Sequence, residues 1–404
     1  MSLLIRNARI LTLAAGARPR RGKELGELSV IPRGDVLVAE GTIAALGPRV
    51  EAPAGSEVID ANGRVLMPGF VDCHTHACWA GSGLDEWDER LRGVPQAEIL
   101  KKGGGLHATV LAVREATKKQ LAAGLRERIS RMLREGTTTV EVKSGYGLSA
   151  EAELKMLRAI VRAGQDWEGT VVPTALLGQG FEGSLDDFAR MVVKEMLPEV
   201  SKEFPDITVD ACADEGAWTL EACVKLFEKA GKHHPLRVHA DQFASLGMIP
   251  EAIRLHARSA DHLEVSSKAD LVALAGSPTF GVILPCTGFH TDGRFARAGF
   301  FVDQGGAVAL ATNCNPGSAP GHSMPFAVAL AVRRCGLTVQ EAIAACTVNA
   351  AALLGFTDRG TIEIGKRADL ILLRHADERM LAYEVGGNPV DLVVCGGMRV
   401  KDSP

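Results

Sequence analysis

The sequence predicts a (β/α)8 barrel that carries a small β domain assembled from both chain ends. Between Pro68 and about Gly355, short apolar runs alternate with amphipathic helical stretches, which indicates repeated βα units and a parallel sheet. The region holds eight such apolar runs, the number that closes a barrel of about 250 residues. An open, doubly wound sheet is the alternative, and it often carries a G-x-G-x-x-G motif after its first strand. No such motif follows the first run here.

Each barrel strand is a short run bounded by turn residues. The predicted strands are Gly69–Asp72, Thr138–Val142, Gly169–Leu176, Ile207–Ala211, Leu236–His239, Ser259–His262, Thr279–Leu284 and Ala307–Ala311. The predicted helices are Leu106–Arg134, Ala150–Ala163, Asp186–Ser201, Leu220–Ala230, Met248–His256, Ser323–Cys335 and Thr338–Leu354.

Strand patterns without helices flank the barrel on both sides. Apolar alternation recurs through the first 67 residues, with a hairpin turn signal at Glu40-Gly41, and it returns after Asp358. We therefore predict that residues 1–67 and 358–404 together form a small, β-sandwich-like domain. Residues 68–357 would form the barrel inserted between them.

Composition and charge exclude several classes of protein. The net charge of −4 gives no general attraction for phosphate backbones, so no nucleic-acid partner is expected. Nine cysteines without a C-x-x-C pair fit reduced thiols rather than a disulfide framework. Arg6 and Arg9 interrupt any signal-peptide core, and no apolar run approaches the roughly 20 residues of a membrane span. We expect a soluble, cytoplasmic protein with no membrane association.

Histidines follow several of the predicted strands. The segment P-G-F-V-D-C-H-T-H places His74 and His76 two residues apart at the end of the first strand, where both imidazoles can reach one ion. His239 follows the fifth strand and His262 the sixth, while Asn313 follows the eighth. Since the carboxyl ends of barrel strands share one face, these side chains are expected to converge on a metal site.

This pattern resembles the amidohydrolase superfamily and, within it, the imidazolonepropionases, which open the ring of 4-imidazolone-5-propanoate during histidine degradation. The resemblance runs along almost the whole chain. It includes the motifs G-G-G-L (103–106), V-E-V-K-S-G-Y-G-L (140–148), E-M-L-P (195–198), H-A-D-Q (239–242), S-A-D-H-L-E (259–264), N-P-G-S (315–318) and G-G-N-P (386–389).

The resemblance implies a ligand set for one divalent metal ion, zinc or iron. His74, His76 and His239 would hold the ion, and the residue after the eighth strand, here Asn313, would complete the set. No lysine ends the fourth strand, so the two-metal arrangement built on a carboxylated lysine is not expected. Lys143, after the second strand, is predicted to form a buried ion pair. The resemblance also implies a homodimer.

The resemblance further implies residues for catalysis and for substrate binding. His262 would polarise the attacked carbonyl or move a proton, and Gln242 would contact the ring. Arg90 and Tyr146 would bind the carboxylate of a small-molecule substrate, because an arginine fork pairs with a carboxylate through two charge-assisted bonds. For Arg90, an ordinary ion pair with a neighbouring glutamate is the alternative.

Two positions depart from the family pattern. Asn313 stands where the family has aspartate, and an amide is a weak ligand that cannot act as a base near neutral pH. Where the family has a histidine after the third strand, this chain reads L-L-G-Q-G-F, which places Gln179 and Gly180 there, and Gln179 is the candidate for contact with the substrate. Proton transfer would then need a substitute, for which His262 and Asp241 are candidates. An engineered replacement, a natural relative with a changed reaction and a site that only binds all remain open.

The sequence therefore predicts metal-dependent hydrolysis of a cyclic amide C–N bond, with 4-imidazolone-5-propanoate as the first substrate and N-formimino-L-glutamate as its product. A related hydrolase or deaminase acting on another small heterocycle is the alternative within the enzymes. A ligand-binding barrel without catalysis is the alternative from another class, and Asn313 is the residue that favours it.

Overall fold

Two separate sheets organise the computed structural model, which describes residues 2–94, 98 and 104–400 of the chain. The strands of the described part are Ser2–Leu11 (β1), Val30–Ala39 (β2), Thr42–Gly47 (β3), Glu57–Asp60 (β4), Val65–Pro68 (β5), Phe70–Asp72 (β6), Thr137–Lys143 (β7), Thr170–Gly178 (β8), Thr208–Ala213 (β9), Leu236–Ala240 (β10), Ser259–His262 (β11), Phe280–Ile283 (β12), Val308–Leu310 (β13), Leu370–Leu373 (β14), Val390–Cys395 (β15) and Met398–Arg399 (β16).

The first sheet joins the two ends of the chain. Its strand order is β16-β15-β14-β5-β1-β2-β3, with β4 pairing β1. The ends meet where β14 runs antiparallel to β5 and Leu370 lies opposite Pro68. The predicted hairpin between β2 and β3 is confirmed, with positive φ at both Glu40 (50°) and Gly41 (78°) as a tight two-residue turn requires. The exact domain boundaries at residues 67 and 357 stay predictions.

The second sheet is the predicted barrel. Strands β6 to β13 are parallel and lie in the order of the sequence, so each is a neighbour of the next along the chain. All eight predicted strands are confirmed to within one or two residues at either end, and Ser259–His262 coincides with its prediction. The fold prediction, a (β/α)8 barrel with a sheet from both chain ends, is therefore confirmed.

The barrel closes through a short seam between its first and last strands. Just beyond β6 and β13, Thr75 and Asn313 form an isolated parallel bridge. The backbone N–H of His76 donates to the Asn313 carbonyl (3.1 Å), and that of Asn313 donates to the His74 carbonyl (3.1 Å). Below this bridge, the buried Asp72 carboxylate accepts from the backbone N–H and the hydroxyl of Thr312. The seam therefore coincides with the H-x-H segment.

The helices of the described part cover the outside of the barrel. They are Leu84–Leu91 (α1), Leu106–Glu115 (α2), Lys118–Arg134 (α3), Ala150–Gln165 (α4), Leu185–Met191 (α5), Leu197–Glu203 (α6), Leu220–Ala230 (α7), Met248–Arg254 (α8), Lys268–Ala275 (α9), Pro285–His290 (α10), Ala298–Asp303 (α11), Met324–Arg334 (α12), Val339–Ala345 (α13), Val348–Leu353 (α14) and Met380–Tyr383 (α15). None of those described is both long and apolar enough to cross a membrane.

Two of the predicted helices were wrong in their continuity. The predicted helix 106–134 breaks after α2, where Ala116 is extended (ψ 135°) and Thr117 begins α3 with a capping box to Gln120. The predicted helix 338–354 is divided between α13 and α14. The predicted helix 186–201 is confirmed as one continuous helical segment, in which a π-helical turn at Val192–Met196 joins α5 to α6. Of the family motifs, G-G-G-L begins at residue 103, which lies outside the described residues.

The apolar core separates into layers that match the two sheets. The largest cluster lies between the barrel strands and their helices and includes Val140, Val209 and Leu226. A second cluster, with Ile10, Leu66 and others, belongs to the sheet of the chain ends. Buried charged side chains on the barrel strands, such as Glu141 and Asp210, are exceptions within this apolar core.

Candidate active site

Three histidines meet at the carboxyl end of the barrel, as the sequence predicts. The nitrogen atoms that His74, His76 and His239 can offer to an ion all lie within 4.8 Å of one another. Nε2 of His76 and Nε2 of His239 are 3.1 Å apart, and all three side chains are at most 3% exposed. Nε2 of His74 is buried and has no hydrogen-bond partner among the described residues. Buried acceptors that face each other in this way fit a cation between them.

Two buried carboxylates hold two of these rings from behind. Nδ1 of His74 lies 2.6 Å from Oδ2 of Asp261, and Nδ1 of His239 lies 3.2 Å from Oδ1 of Asp210. A carboxylate can only accept here, so each Nδ1 carries the hydrogen and each Nε2 keeps its lone pair. This is the carboxylate–histidine arrangement that orients imidazole ligands around metal ions.

The electrostatics of the site keep His74 and His76 neutral. Burial lowers the pKa of both side chains well below 6.5, and electrostatic interactions, with Lys143 for His74 and with His239 for His76, lower these pKa values further. A neutral imidazole is the form that binds metal ions. Three imidazole ligands suit zinc or iron better than calcium or magnesium, which prefer oxygen ligands. The residues present therefore fit the expected ion.

Asn313 lies at the seam beside the H-x-H segment, in a left-handed conformation (φ 67°) and 1% exposed. Its side-chain Nδ2 donates to the hydroxyls of Thr287 (2.8 Å) and Ser318 (3.1 Å). Its Oδ1 is buried and has no partner among the described residues. The hydrogen bonds of Nδ2 therefore hold the amide in place, and Oδ1 remains available as an acceptor where the family resemblance implies a carboxylate.

His262 completes the group of rings at the barrel mouth. Its ring centroid lies 5.9 Å from that of His74 and 5.5 Å from that of His239. Positive φ at His262 (91°) and Leu263 (69°) ends the strand alternation, so that both Asp261 and His262 reach the site. Nδ1 of His262 lies 3.1 Å from Oε1 of Glu264. Burial alone would lower the pKa of His262, but the Glu264 carboxylate outweighs it and the pKa is raised above 6.5.

Tyr146 is brought to the site by the loop after β7. Its ring centroid lies 6.1 Å from that of His76. The side chain is 2% exposed, so the tyrosine is in a loop, as expected, but more deeply buried than a loop residue usually is. Burial raises the pKa of its phenol, which therefore stays protonated and can donate a hydrogen bond.

The other predicted binding residues lie on α1 and on loops that follow barrel strands. Arg90, on α1, donates from Nη1 to the carbonyl of Gly317 (2.7 Å) and lines a cavity of about 490 Å³. Gln242 follows β10, and its backbone N–H donates to Asp214 (2.8 Å). Gln179 follows β8, half-buried, with Oε1 unpartnered among the described residues. The roles assigned to these three residues stay predictions.

The sequence reasoning missed most of a layer of charges below the histidines. Lys143, predicted in a buried ion pair, lies 2.8 Å from both Glu141 and Asp210. Arg237 lies 2.6 Å from Asp261. Charged residues two apart within otherwise apolar barrel strands, as in E-V-K and R-V-H, are the signal that could have found this layer.

Comparison with known proteins agrees with this geometry. The profile of the amidohydrolase family matches residues 65–400. An imidazolonepropionase from Deinococcus radiodurans is 41% identical over 384 residues, which cover 95% of this chain and 96% of that protein. An imidazolonepropionase from Rubrobacter xylanophilus is 40% identical over 412 residues and covers 98% of both chains.

Solved structures share the fold at much lower identity. A triazine hydrolase variant superimposes with a TM-score of 0.75 at 17% identity, covering 98% of this chain and 94% of that one. Atrazine chlorohydrolase from Arthrobacter aurescens, complexed with zinc, gives a TM-score of 0.70 at 16% identity with the same coverage. At these identities the likeness concerns the barrel and its attached sheet.

Proposed function

This chain belongs to the amidohydrolase family, among the imidazolonepropionases, and we propose that it hydrolyses a cyclic amide C–N bond in a metal-dependent reaction. The proposed substrate is 4-imidazolone-5-propanoate, and the product is N-formimino-L-glutamate. The observation that carries the proposal is the buried cluster of His74, His76 and His239, whose ligand nitrogens lie within 4.8 Å. The choice of substrate rests on relatives of about 40% identity over nearly the full length, which are named imidazolonepropionase.

We propose that the three histidines hold one divalent ion, zinc or iron. Such an ion lowers the pKa of water to near 7 and polarises a carbonyl oxygen. The protein contributes imidazole ligands, of which His74 and His239 are oriented by Asp261 and Asp210. Oδ1 of Asn313 is an additional buried oxygen acceptor at the seam.

The residues around the cluster would bind the substrate and move its protons. In the reaction the ring carbonyl carbon gains the oxygen of water, the ring C–N bond breaks, and the departing nitrogen takes a proton. We propose that His262, whose Nδ1 lies 3.1 Å from Oε1 of Glu264, stabilises the carbonyl oxygen and transfers that proton. Tyr146 and Arg90 would bind the propanoate carboxylate.

The neutral side chain of Asn313 favours a second candidate function. An amide at the seam cannot take a proton from water, and a well-placed general base is worth roughly 10²–10⁴ in rate. A barrel that binds an imidazolone or another small heterocycle without turning it over is therefore the second candidate. Gln179, in place of the family histidine, favours the same candidate.

Hydrolysis of 4-imidazolone-5-propanoate by zinc- or iron-loaded protein, beside an Asn313→Asp variant, tests both candidates. We expect the variant to be faster by roughly 10²–10⁴-fold, since aspartate restores the base. Asn349→Asp is the matched control, because Asn349 is an equally buried amide that contacts the amino end of β13 at Val308. Turnover by neither protein, with the metal bound, would refute the substrate.

We propose that the protein works in the cytoplasm as a homodimer. All nine cysteines are buried and unpaired, which suits a reducing compartment. Size-exclusion chromatography with light scattering measures the assembly, and a mass near the 42.8 kDa of one chain would refute the dimer.

A further inference from the structure

Below the three histidines, five charged side chains form one connected group, which we call the charge layer: Glu141, Lys143, Asp210, Arg237 and Asp261. Each side chain is at most 2% exposed. The layer holds three carboxylates and two cations. A buried group of this kind is costly to desolvate, and apolar residues of similar volume would often be as stable. Because the charge layer lies directly under the ligand histidines, we looked to the metal site rather than to stability for its role.

The layer has two arms, and each arm ends on one ligand histidine. In the first arm, Oδ2 of Asp261 accepts from Nη2 of Arg237 (2.6 Å) and lies 2.6 Å from Nδ1 of His74. In the second arm, Asp210 faces His239 with Oδ1 (3.2 Å) and Lys143 with Oδ2 (2.8 Å). Each carboxylate that orients a ligand is therefore itself fixed by a buried cation.

Glu141 joins the two arms and also contacts the H-x-H segment. Its Oε1 lies 2.8 Å from Lys143 and 3.5 Å from Arg237. Its Oε2 accepts from the backbone N–H of Thr75 (3.1 Å), the residue between the first two ligands. The layer thus contacts the side chains of His74 and His239 and the backbone that separates His74 from His76.

Arg237 makes the largest number of these contacts. Its guanidinium donates to the Cys73 carbonyl (2.6 Å), to the Ser259 hydroxyl (2.9 Å) and to Asp261. The three bonds leave from three different nitrogens, Nε, Nη1 and Nη2, whereas the donors of an ammonium group all lie on one nitrogen and cannot reproduce that spacing. We propose that Arg237 is a positioning residue that sets metal affinity, by fixing the Cys73 end of the H-x-H segment and the Asp261–His74 pair.

The inference rests on the metal site proposed above, and its test measures zinc binding separately from activity. Zinc affinity of the folded, metal-free protein is measured by competition with a chelating indicator, with circular dichroism and melting as measures of folding. For Arg237→Lys, which keeps the charge and loses the fork, we expect 10–100-fold weaker zinc binding, the range found when hydrogen-bonded groups that orient metal ligands are replaced.

Arg20→Lys is the matched control. Arg20 is an arginine that is 1% exposed, and its Nη2 donates to the carbonyls of Leu13 and Ala15, far from the histidines along the chain. We expect this variant to melt at a lower temperature and to bind zinc as the unchanged chain does. Equal losses of zinc affinity in the Arg20 and Arg237 variants would overturn the proposal, because both would then reflect general loosening.

A second variant carries the test if Arg237→Lys fails to fold. Glu141→Gln with Arg237→Met removes one negative and one positive charge, so the net charge of the layer is unchanged. We expect this double variant also to bind zinc 10–100-fold more weakly. Unchanged zinc affinity in either folded variant overturns the role of Arg237. An unchanged chain that binds no zinc refutes the metal site itself, and the role of Arg237 with it.

Discussion

Replacing Glu153 with glutamine should loosen the loop that carries Tyr146 while leaving the barrel core in place. Glu153 lies on α4 and is 1% exposed. Its Oε2 accepts from the backbone N–H of Gly145 (2.8 Å), and its Oε1 accepts from those of Gly147 (2.7 Å) and Leu148 (3.0 Å). One carboxylate therefore satisfies three backbone donors around the tyrosine.

The magnitude follows from counting these bonds. Glutamine keeps one acceptor oxygen, which can serve Gly147 and Leu148, but its NH2 group would face the N–H of Gly145. One buried donor then has no acceptor, at a cost of about 1–3 kcal/mol. We expect the free energy of unfolding in urea to fall by that amount. Amide exchange in the loop should become faster, and KM should rise more than kcat falls, because Tyr146 is assigned to binding.

The contribution of Glu153 to the free energy of unfolding should depend on pH, and its direction follows from the pKa of this carboxyl group. Burial raises the pKa of Glu153 above 4.5, despite hydrogen bonds from Ser144 and from the loop backbone. The folded protein therefore binds this proton more tightly than the unfolded chain does. The contribution of this group is fully present below pH 4.5 and is lost as the pH rises through the raised pKa. The stability advantage of the unchanged chain over Glu153→Gln should therefore narrow as the pH rises.

Glu151→Gln is the control for this experiment. Glu151 lies in the first turn of the same helix but is exposed, so its replacement alters the helix charge equally without touching the loop. We expect a change within about 0.5 kcal/mol. If the Glu153 variant and the unchanged chain have the same free energy of unfolding, the same rate of amide exchange in the loop and the same KM, then Glu153 does not hold the Tyr146 loop in place.

Two further predictions concern the metal ligands and the seam. His76→Ala should abolish stoichiometric zinc binding. His234→Ala is the control: it removes a buried ring bonded to Ser201, and it should lower the melting temperature and leave zinc stoichiometry unchanged. Loss of zinc binding in both variants would contradict the ligand assignment. Thr312→Val should lower the free energy of unfolding by about 1.5–3 kcal/mol, measured in urea, because Asp72 loses a buried hydroxyl donor, and an unchanged value would show that this contact does not stabilise the seam.

The sequence was most informative about the barrel strands and the first ligands. Apolar runs bounded by turn residues are a local signal, and the eight strands could be predicted from it to within one or two residues. His74, His76 and His239 could be grouped because parallel strands bring their carboxyl ends to one face. The helix break before Thr117 was missed although its capping box with Gln120 is visible in the sequence, because the apolar periodicity continues across it.

The layer below the ligands could not be assembled from the sequence alone. Asp210 lies 29 residues before His239, which it contacts, and Asp261 lies 187 residues after its partner His74. Strand alternation would place Asp261 and His262 on opposite sides of the sheet, and only the positive φ at His262 removes that conflict. Backbone conformations of this kind depend on tertiary contacts, so they cannot be predicted from the local sequence.

The position of the seam has a consequence for how the protein matures. Asp72 and Thr312 are 240 residues apart in the chain, yet they are neighbours at the place where the barrel closes. A ribosome must deliver nearly the whole barrel before the H-x-H segment can meet its neighbours from the last strand. Contacts between such distant segments form late in folding, since a long loop must first be ordered. The completed site is therefore a property of the finished barrel, and a chain truncated before Thr312 cannot close it.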